Sequence, residues 1–138
     1  MAKAFQLEIL TPDGPTYQGE VNSLVLPAWE GQLGVLSGHE AMVTAMKPGA
    51  LNFEANGKEE WLAVSGGFAQ IGPDKVVILA ETAELAGAID AARAKAKAGA
   101  KQNQLAEGGF NDEQMLAMQA SLMKELVRMK VAEKAKNI

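Results

Sequence analysis

The sequence lacks several residue types that common functional sites require. It has no cysteine, which excludes disulfides, thiolate metal sites and a cysteine nucleophile. Its one histidine, His39, excludes zinc motifs that need paired histidines. The longest apolar run, residues 76–80, is too short to span a bilayer, and residues 1–8 contain no apolar stretch typical of a signal peptide. We therefore expect a protein without direct membrane insertion, in the cytosol or on a surface that faces it.

Charge and composition divide the 138 residues into two parts near Ala86. Residues 1–86 carry four basic and eleven acidic residues, whereas residues 87–138 carry nine basic and six acidic ones. All five prolines and six of the seven aromatic residues lie in the first part. These shifts predict two domains, 1–86 and 87–138, and a pI near 5.0 argues against nucleic acid as a partner.

The first part has the patterns of β-strands. Residues 5–9 alternate between apolar and polar, as a half-buried strand does. Residues 21–26 form a second apolar run, which we expect to stop at Pro27. Asn56-Gly57 lies between two further strand-like segments and is typical of a two-residue hairpin turn. Short strands separated by turn residues predict a sandwich or a barrel.

The second part has the patterns of two helices. The first is predicted from about Ala86 to Leu105, and the segment 107–111, with two adjacent glycines, ends it. Asn111 is a predicted cap for the second helix, with Gln114 as its reciprocal partner. An apolar stripe at helical spacing follows: Met115, Met118, Leu122, Met123, Leu126 and Met129. Because the first helix is mostly alanine, it buries little area, and we expect the helical part to be the less stable and more mobile one.

The residues do not indicate catalysis. The glycine-rich segment 31–39 lacks the Gly-Lys-Ser/Thr ending of a phosphate loop. Ser65 and His39 could form part of a hydrolase site, but Ser65 does not lie in a nucleophile elbow. No calcium-loop pattern is present. We therefore predict no catalytic residue, no metal site and no required cofactor.

Four segments, in their order along the chain, resemble the epsilon subunit of bacterial F-type rotary ATP synthases. The resemblance covers essentially the whole chain and is carried by residues 11–14 (TPDG), 30–39 (EGQLGVLSGH), 63–68 (AVSGGF) and 89–94 (IDAARA). It implies an α+β protein in two parts, an N-terminal antiparallel β-sandwich of about ten strands and a C-terminal antiparallel two-helix hairpin.

The resemblance also implies a function and a set of partners. The sandwich of the family binds the gamma subunit of the central stalk and rests on the ring of c subunits. Its helices either fold on the sandwich or extend along gamma into the catalytic head of alpha and beta subunits, where they block ATP hydrolysis. By this likeness the protein is a non-catalytic, peripheral subunit at the cytoplasmic face of the bacterial plasma membrane. Glu30, Gln32 and His39 are the predicted partner-facing residues for gamma or the c-ring.

Some subunits of this kind bind ATP as a regulatory ligand between the folded helices, through the pattern Ile/Leu-Asp-x-x-Arg-Ala. An Asp can accept a hydrogen bond from the adenine amino group and an Arg can bind phosphate. Ala100 stands where the resemblance leads us to expect another arginine, and Lys124 lacks the guanidinium fork. The predicted ATP-binding residues are Glu84, Ile89, Asp90, Arg93, Ala94, Lys124 and Arg128.

Two other interpretations remain open from the residues alone. The chain could be a stand-alone nucleotide-binding module that uses the Asp90 and Arg93 helix face. It could also be a small hydrolase that uses Ser65 and His39. A need for a gamma partner separates the first alternative from the rotor subunit, and labelling by a serine-reactive probe would support the second.

Overall fold

The computed structural model describes residues 3–136, with side chains up to Lys134. Within this range the chain forms eight strands, one 3₁₀ turn and two helices. In chain order they are β1 (Phe5–Thr11), β2 (Gly14–Val21), β3 (Ser23–Ala28), β4 (Gly31–Val35), β5 (Met42–Ala55), β6 (Lys58–Ile71), β7 (Lys75–Ala80), β8 (Ala83–Leu85), the 3₁₀ turn (Ala86–Ala88), α1 (Ala91–Glu107) and α2 (Asp112–Lys136). Strands followed by two helices confirm the predicted fold class.

The strands form one sheet that folds over on itself. Its order is β2-β1-β7-β6-β5-β3-β4, with β8 paired to β6. Three strands separate β2 from β5 in this order, yet the rings of Tyr17 on β2 and Phe53 on β5 have centroids 4.4 Å apart. The two ends of the sheet therefore face each other across a core, as the two layers of a sandwich do.

Two details of the predicted sandwich are corrected. The sheet is mixed, because β1 and β7 pair in parallel while the other pairs are antiparallel. The described residues also form eight strands rather than about ten, since β5 and β6 each continue for 14 residues. Periodicity reports which face a residue occupies, whereas strand partners and strand continuity depend on the whole sheet.

The core lies between the two layers and contains large apolar side chains. Alternation along β1 buries Phe5, Leu7 and Ile9, which confirms the predicted half-buried strand. Phe53 of β5 and Leu62 of β6 meet them in the same cluster. These side chains are almost fully withdrawn from solvent, and each contributes about 1.5–3 kcal/mol by burial.

The predicted hairpin turn at Asn56-Gly57 joins the two longest strands. Ala55 pairs with Lys58, so the loop has two residues. Both have positive φ, 53° at Asn56 and 78° at Gly57, as a type I′ turn requires. The turn is confirmed, and it sets the register of the β5–β6 pair.

Pro27 does not stop a strand, contrary to the prediction. The apolar run 21–26 is divided at Asn22, and β3 continues through Pro27 to Ala28. The pairing of β3 with β5 is irregular between Val25 and Ala28. A proline, which has no backbone N–H, is tolerated at such an irregularity, and this allows β3 to continue.

The helices begin and end near the predicted residues, with one correction. The first helix starts at Ala91 rather than Ala86, because residues 86–88 form a 3₁₀ turn and Asp90 caps α1. The cap of α2 is confirmed: Asn111 Oδ1 accepts from the Gln114 N–H at 2.8 Å, and Gln114 Oε1 accepts from the Asn111 N–H at 3.1 Å. How independent the parts 1–86 and 87–138 are as domains remains a prediction.

Candidate functional site

The hairpin of α1 and α2 folds against the sheet through α2. The second helix contacts β5, β6 and the 3₁₀ turn, and it contributes Val131 and Ala132 to a small second core. Ala63, Ala86 and Ile89 complete the buried part of this core. Most of these side chains are small, so the apolar area that holds α2 on the sheet is limited.

A cation–π contact lies at the edge of this second core. Lys134 of α2 places its Nζ 4.8 Å from the ring centroid of Trp61 on β6. Trp61 also packs against the second core. A surface cation–π pair contributes about 0.5–1 kcal/mol, so it supports the docked position of α2 without fixing it permanently.

Small residues join α1 to α2. Ala94 and Ala98 are the buried residues of α1. They are four positions apart, so they lie on one helix face and allow the two helices to approach closely. This agrees with the thinly packed first helix that the sequence predicts. Because an alanine contributes little apolar area, α1 is held weakly by packing alone.

A chain of charged side chains connects the sheet to both helices. Arg128 of α2 donates from Nη2 to Oε2 of Glu84 on β8 at 3.1 Å, and from Nη1 to Oε2 of Glu125 on α2 at 3.0 Å. Its Nε lies 2.9 Å from the other Glu84 oxygen as an ion-pair contact, although the N–H is not aligned for a hydrogen bond. Lys101 of α1 places its Nζ 3.8 Å from Glu125 Oε1.

The electrostatics of this chain favour its charged form. Burial lowers the pKa of Arg128, but the hydrogen bonds and charges of Glu84 and Glu125 outweigh burial, so the net pKa lies above the ordinary value. Glu125 is only 4% exposed and has a cation on both sides. A buried carboxylate with this arrangement has the partners that its burial requires.

The predicted ATP-binding residues lie in two groups. Glu84 and Arg128 bond each other, and with Lys124 they line a cleft of about 10 Å³, which holds no more than one water. Around the start of α1, Ile89 and Ala94 are buried.

Asp90 differs from the expected position on the face of α1. It precedes the helix, and its Oδ1 accepts from the Arg93 N–H at 3.0 Å. Asp favours such N-cap positions because its carboxylate satisfies a free backbone donor. The Arg93 side chain is exposed, and binding of ATP by these residues stays a prediction.

The three predicted partner-facing residues lie around β4. Glu30 is in the turn before β4, and Gln32 is near the start of the strand; both are exposed. His39 follows the end of β4, is partly exposed, and has its Nδ1 2.8 Å from the Glu40 carbonyl oxygen. The residues therefore occupy opposite ends of one strand, and their role in partner binding stays a prediction.

The hydroxyl of Ser65 has a structural role at a bend in β6. It accepts hydrogen bonds from the N–H of Thr82 at 2.9 Å and from the Thr82 hydroxyl at 2.6 Å. The next residues, Gly66 and Gly67, both have positive φ. The described hydrogen bonds of Ser65 and His39 do not join the two residues. The arrangement therefore gives no support to a hydrolase that uses this pair.

The sequence analysis missed an exposed row of apolar side chains on the outer face of the sheet. Val43, Phe68 and Leu79 are 67%, 57% and 50% exposed on β5, β6 and β7. Phe68 pairs with Leu79, which pairs with Leu10 of β1. Val43 is two residues from the strand partner of Phe68, so it shares that face. We call Leu10, Val43, Phe68 and Leu79 the outer apolar row.

A signal for the outer apolar row was present in the sequence. The run 76–80 is apolar without alternation, although only Val76, Ile78 and Ala80 face the core. A strand with apolar residues on both faces is typical of one covered on both sides. The unbroken run could therefore have indicated a second covered face at Leu79.

Comparison with known proteins gives the family. A family model described as the ATP synthase delta/epsilon chain β-sandwich domain matches residues 4–86. The ATP synthase epsilon chain of Bacillus pumilus (strain SAFR-032) is 38% identical over 132 residues, which span 96% of this chain and 99% of that protein. The chain belongs to the ATP synthase epsilon chain family. The resemblance in the four sequence segments is thereby confirmed.

Further relatives and solved structures agree with this family. The ATP synthase epsilon chain of Desulforamulus reducens is 40% identical over 96% of this chain and the whole of that protein. A chain of the Euglena gracilis mitochondrial ATP synthase, solved as OSCP/F1/c-ring, has a TM-score of 0.76 at 24% identity over 96% of this chain and 81% of that chain. A chain of the Tetrahymena thermophila mitochondrial ATP synthase, solved as central stalk/c-ring, has a TM-score of 0.55 at 15% identity, over 97% of each chain. These two likenesses concern the fold.

Proposed function

We propose that the chain is a non-catalytic subunit of the central stalk, or rotor, of an F-type ATP synthase. In this role it couples the catalytic head to the ion-translocating c-ring and inhibits ATP hydrolysis through its two C-terminal helices. Family membership supports the assignment to the complex. The observation that carries the proposed role as an adaptor is the outer apolar row, an unpartnered surface on an otherwise well-packed sheet.

The outer apolar row supports a firm contact with another subunit. It crosses four neighbouring strands, and a cleft of about 410 Å³ lies beside Leu10, Phe68 and Leu79. Contiguous exposed apolar side chains on a soluble domain are typical of protein–protein interfaces. We assign this surface to the gamma subunit of the central stalk.

A second contact is proposed at the turn between β3 and β4. Trp29 is exposed there, with Lys47 Nζ 5.5 Å from its ring centroid, and Glu30 and Gln32 are its exposed neighbours. An aromatic side chain with polar neighbours suits an interface that is partly wet. We assign this end of the sheet to the c-ring, which places the protein at the cytoplasmic face of a bacterial plasma membrane. Among residues 3–136, no helix has the length and apolarity to cross a membrane.

The hairpin has the features expected of a regulatory element. Its docked form depends on a small second core and on the charged chain from Glu84 to Lys101. Few contacts are lost on undocking, so the docked and extended forms can lie within a few kcal/mol of each other. The part 87–138 is also basic, which suits contact with acidic loops of the catalytic subunits when the helices extend.

ATP is the proposed regulatory ligand of the docked form. The exposed side chains of Arg93 and Lys124 are the cations of the predicted set that have no ion pair among the described contacts. Arg93→Ala should weaken ATP binding and favour the extended form, with Lys58→Ala, on the distal hairpin turn, as the control. An ATP titration by NMR that is unchanged in Arg93→Ala would contradict this part of the proposal.

The function is tested by adding the chain back to an ATP synthase catalytic head that lacks its epsilon subunit. We expect the full chain to inhibit ATP hydrolysis and a chain of residues 1–86 to bind without inhibiting. Inhibition by neither, with gamma binding intact, would leave an adaptor without a brake. No binding by the full chain would contradict the rotor role and favour a stand-alone nucleotide-binding module.

The adaptor surface is tested separately with one variant and one matched control. Phe68→Asp puts a charge in the middle of the outer apolar row and should weaken binding to the gamma subunit by about tenfold or more, as expected for a central interface residue. Leu36→Asp changes a similarly exposed apolar residue outside the row and should leave gamma binding unchanged. Equal effects of both variants would contradict the assignment of the row.

A further inference from the structure

We propose that Glu84, Arg128, Glu125 and Lys101 form an electrostatic latch that holds the hairpin closed on the sheet without a bound nucleotide. The inference rests on the proposed function, because it assigns the regulation of the helical brake. It goes beyond that function by naming the contacts that must break before the helices can extend. It also divides them into two separate joints.

The first joint connects the sheet to α2. Glu84 lies on β8 and Arg128 lies on α2, 44 residues further along the chain. Two guanidinium nitrogens of Arg128 lie 3.1 Å and 2.9 Å from the two Glu84 oxygens. A fork of this kind fixes orientation as well as distance, so α2 cannot slide on the sheet while the pair is intact.

The second joint connects α1 to α2. Lys101 of α1 reaches Glu125 of α2 at 3.8 Å, at a position where the buried residues of α1 are alanines. A single ammonium at this distance is a weaker contact than the guanidinium fork. The second joint should therefore open more easily than the first.

The pair of Glu125 and Arg128 is the hub that both joints share. Both residues lie on α2, three positions apart, so their contact survives when α2 leaves the sheet. Glu125 holds Nη1 of Arg128 and thereby turns the other edge of the guanidinium towards Glu84. Glu125 is a positioning residue for the first joint and a direct partner in the second.

The latch needs no nucleotide, because its charges already satisfy one another. Arg128 has a carboxylate on each side, and the cleft beside it measures about 10 Å³. A polyphosphate that approached Arg128 would have to displace Glu84. The latch therefore predicts a hairpin that is docked in the nucleotide-free protein.

The first joint can be tested with a built-in fluorescence reporter. Trp29→Phe leaves Trp61, which packs beside docked α2, as the single tryptophan. In this background and without nucleotide, Glu84→Gln should raise the undocked fraction about tenfold or more, seen as a red shift and stronger acrylamide quenching. Glu81→Gln, which changes an exposed carboxylate three residues away, is the matched control and should change neither signal.

The second joint is tested in the same chain with two spin labels. Cysteines at the exposed positions Ala96 and Gln119 can be labelled uniquely, because the chain has no native cysteine. Lys101→Gln should widen the distance between the labels and leave Trp61 unchanged. Glu84→Gln should do the reverse. Identical effects of both variants on both signals would overturn the division into two joints.

A double-variant cycle separates a latch from a general loss of stability. If Glu84 and Arg128 act through each other, Glu84→Gln combined with Arg128→Gln should undock α2 no more than Arg128→Gln alone. Salt should undock the wild-type helix progressively but have little effect on the double variant. Additive effects, or equal salt dependence, would overturn the latch. Unchanged dispersion of the strand amide signals in NMR is the control for folding.

The latch and the proposed function fail in distinguishable ways. If Glu84→Gln leaves Trp61 protected in the isolated chain, the latch is wrong, whatever the chain does to ATP hydrolysis. If Glu84→Gln undocks α2 but the full chain never inhibits the catalytic head, the latch is supported and the proposed brake is wrong.

Discussion

The sheet and the helical hairpin are held together by different kinds of contact. Large side chains such as Leu7, Phe53 and Leu62 fill the sheet and are 0–1% exposed. The hairpin presents mainly alanine and valine to its neighbours, together with the ion pairs of the latch. Complete burial of a leucine contributes about 1.5–3 kcal/mol, whereas a methylene-sized group contributes about 0.8 kcal/mol. One chain therefore combines a permanent platform with an element that can be released.

This difference suits the two tasks that we propose. An adaptor that transmits torque must not unfold, and its stability comes from non-directional burial of large side chains. A brake must change position in response to a small signal, so its two positions must be close in free energy. Small apolar contacts with a few oriented charges satisfy this second requirement.

Gly67→Ala should have the largest effect, and it should act on the sheet. Gly67 has φ of +124°, and a Cβ there would collide with the backbone carbonyl oxygen of Leu79 on the neighbouring strand. We expect the free energy of unfolding to fall by about 3 kcal/mol or more, measured by urea denaturation.

Gly66→Ala is the matched control for this change. Gly66 also has a positive φ, of +109°, but the nearest atom to a Cβ there is the Met46 carbonyl oxygen at 3.6 Å. It should therefore show backbone strain alone, about 1–2 kcal/mol. Equal destabilisation by the two variants would contradict the close strand approach at Gly67.

Ala94→Leu should loosen the hairpin and spare the sheet. Ala94 is fully buried on α1, so a larger side chain overpacks the helix–helix contact by about 1–3 kcal/mol. Cleavage by trypsin after Lys95 and Lys97 should become faster, while urea unfolding of the sheet stays unchanged. Ala92→Leu, at an exposed position of the same helix, is the control. Loss of sheet stability in Ala94→Leu would show that the two regions are more tightly coupled than we describe.

Gly99→Ala should make the same helix more stable. Gly99 lies inside α1, and a Cβ there meets no atom within 4 Å. The substitution should stabilise α1 by about 1 kcal/mol and slow trypsin cleavage about fivefold. Faster cleavage would contradict the placement of Gly99 inside a regular helix.

The smallest predicted effect concerns Tyr17, in the platform. Burial, and to a lesser extent the charge of Glu60, raises the pKa of Tyr17 above its ordinary value of 10.0. The folded sheet therefore favours the neutral phenol, and this contribution to stability is lost as the pH rises from about 10 through the raised pKa. Because Tyr17 is the only tyrosine, its titration can be followed directly by tyrosinate absorbance.

Two controls sharpen the Tyr17 measurement. Glu60→Gln should move the pKa only part of the way back, because burial is the larger cause. Titration in guanidinium chloride supplies the unfolded reference. An identical midpoint in folded and unfolded protein would contradict the packing of Tyr17 on Phe53.

Local features of the fold were predictable because they depend on a few adjacent residues. The Asn56-Gly57 turn and the reciprocal cap of Asn111 and Gln114 follow from backbone and hydrogen-bonding chemistry within four residues. Family resemblance supplied the order of sheet and helices. The parallel pairing of β1 with β7 joins segments about 70 residues apart, and local periodicity contains no information about it.

The candidate site was predictable only in part, for the same reason. Glu84 and Arg128 were identified as possible ligand contacts, but their contact with each other depends on how α2 meets the sheet. Glu125 lies on the buried face of α2, where an isolated acidic residue gives no sequence signal for its two cationic partners. The outer apolar row likewise arises from register across four strands.

Hydrogen exchange in the native full-length chain tests the central claim most directly. Amides of α1 and of β6 should be compared under conditions where exchange reports local opening. We predict that α1 amides exchange at least about a hundredfold faster than the central amides of β6, because the hairpin opens without unfolding of the sheet. Equal protection in α1 and β6 would show one cooperative unit and would contradict a permanent platform with a releasable brake.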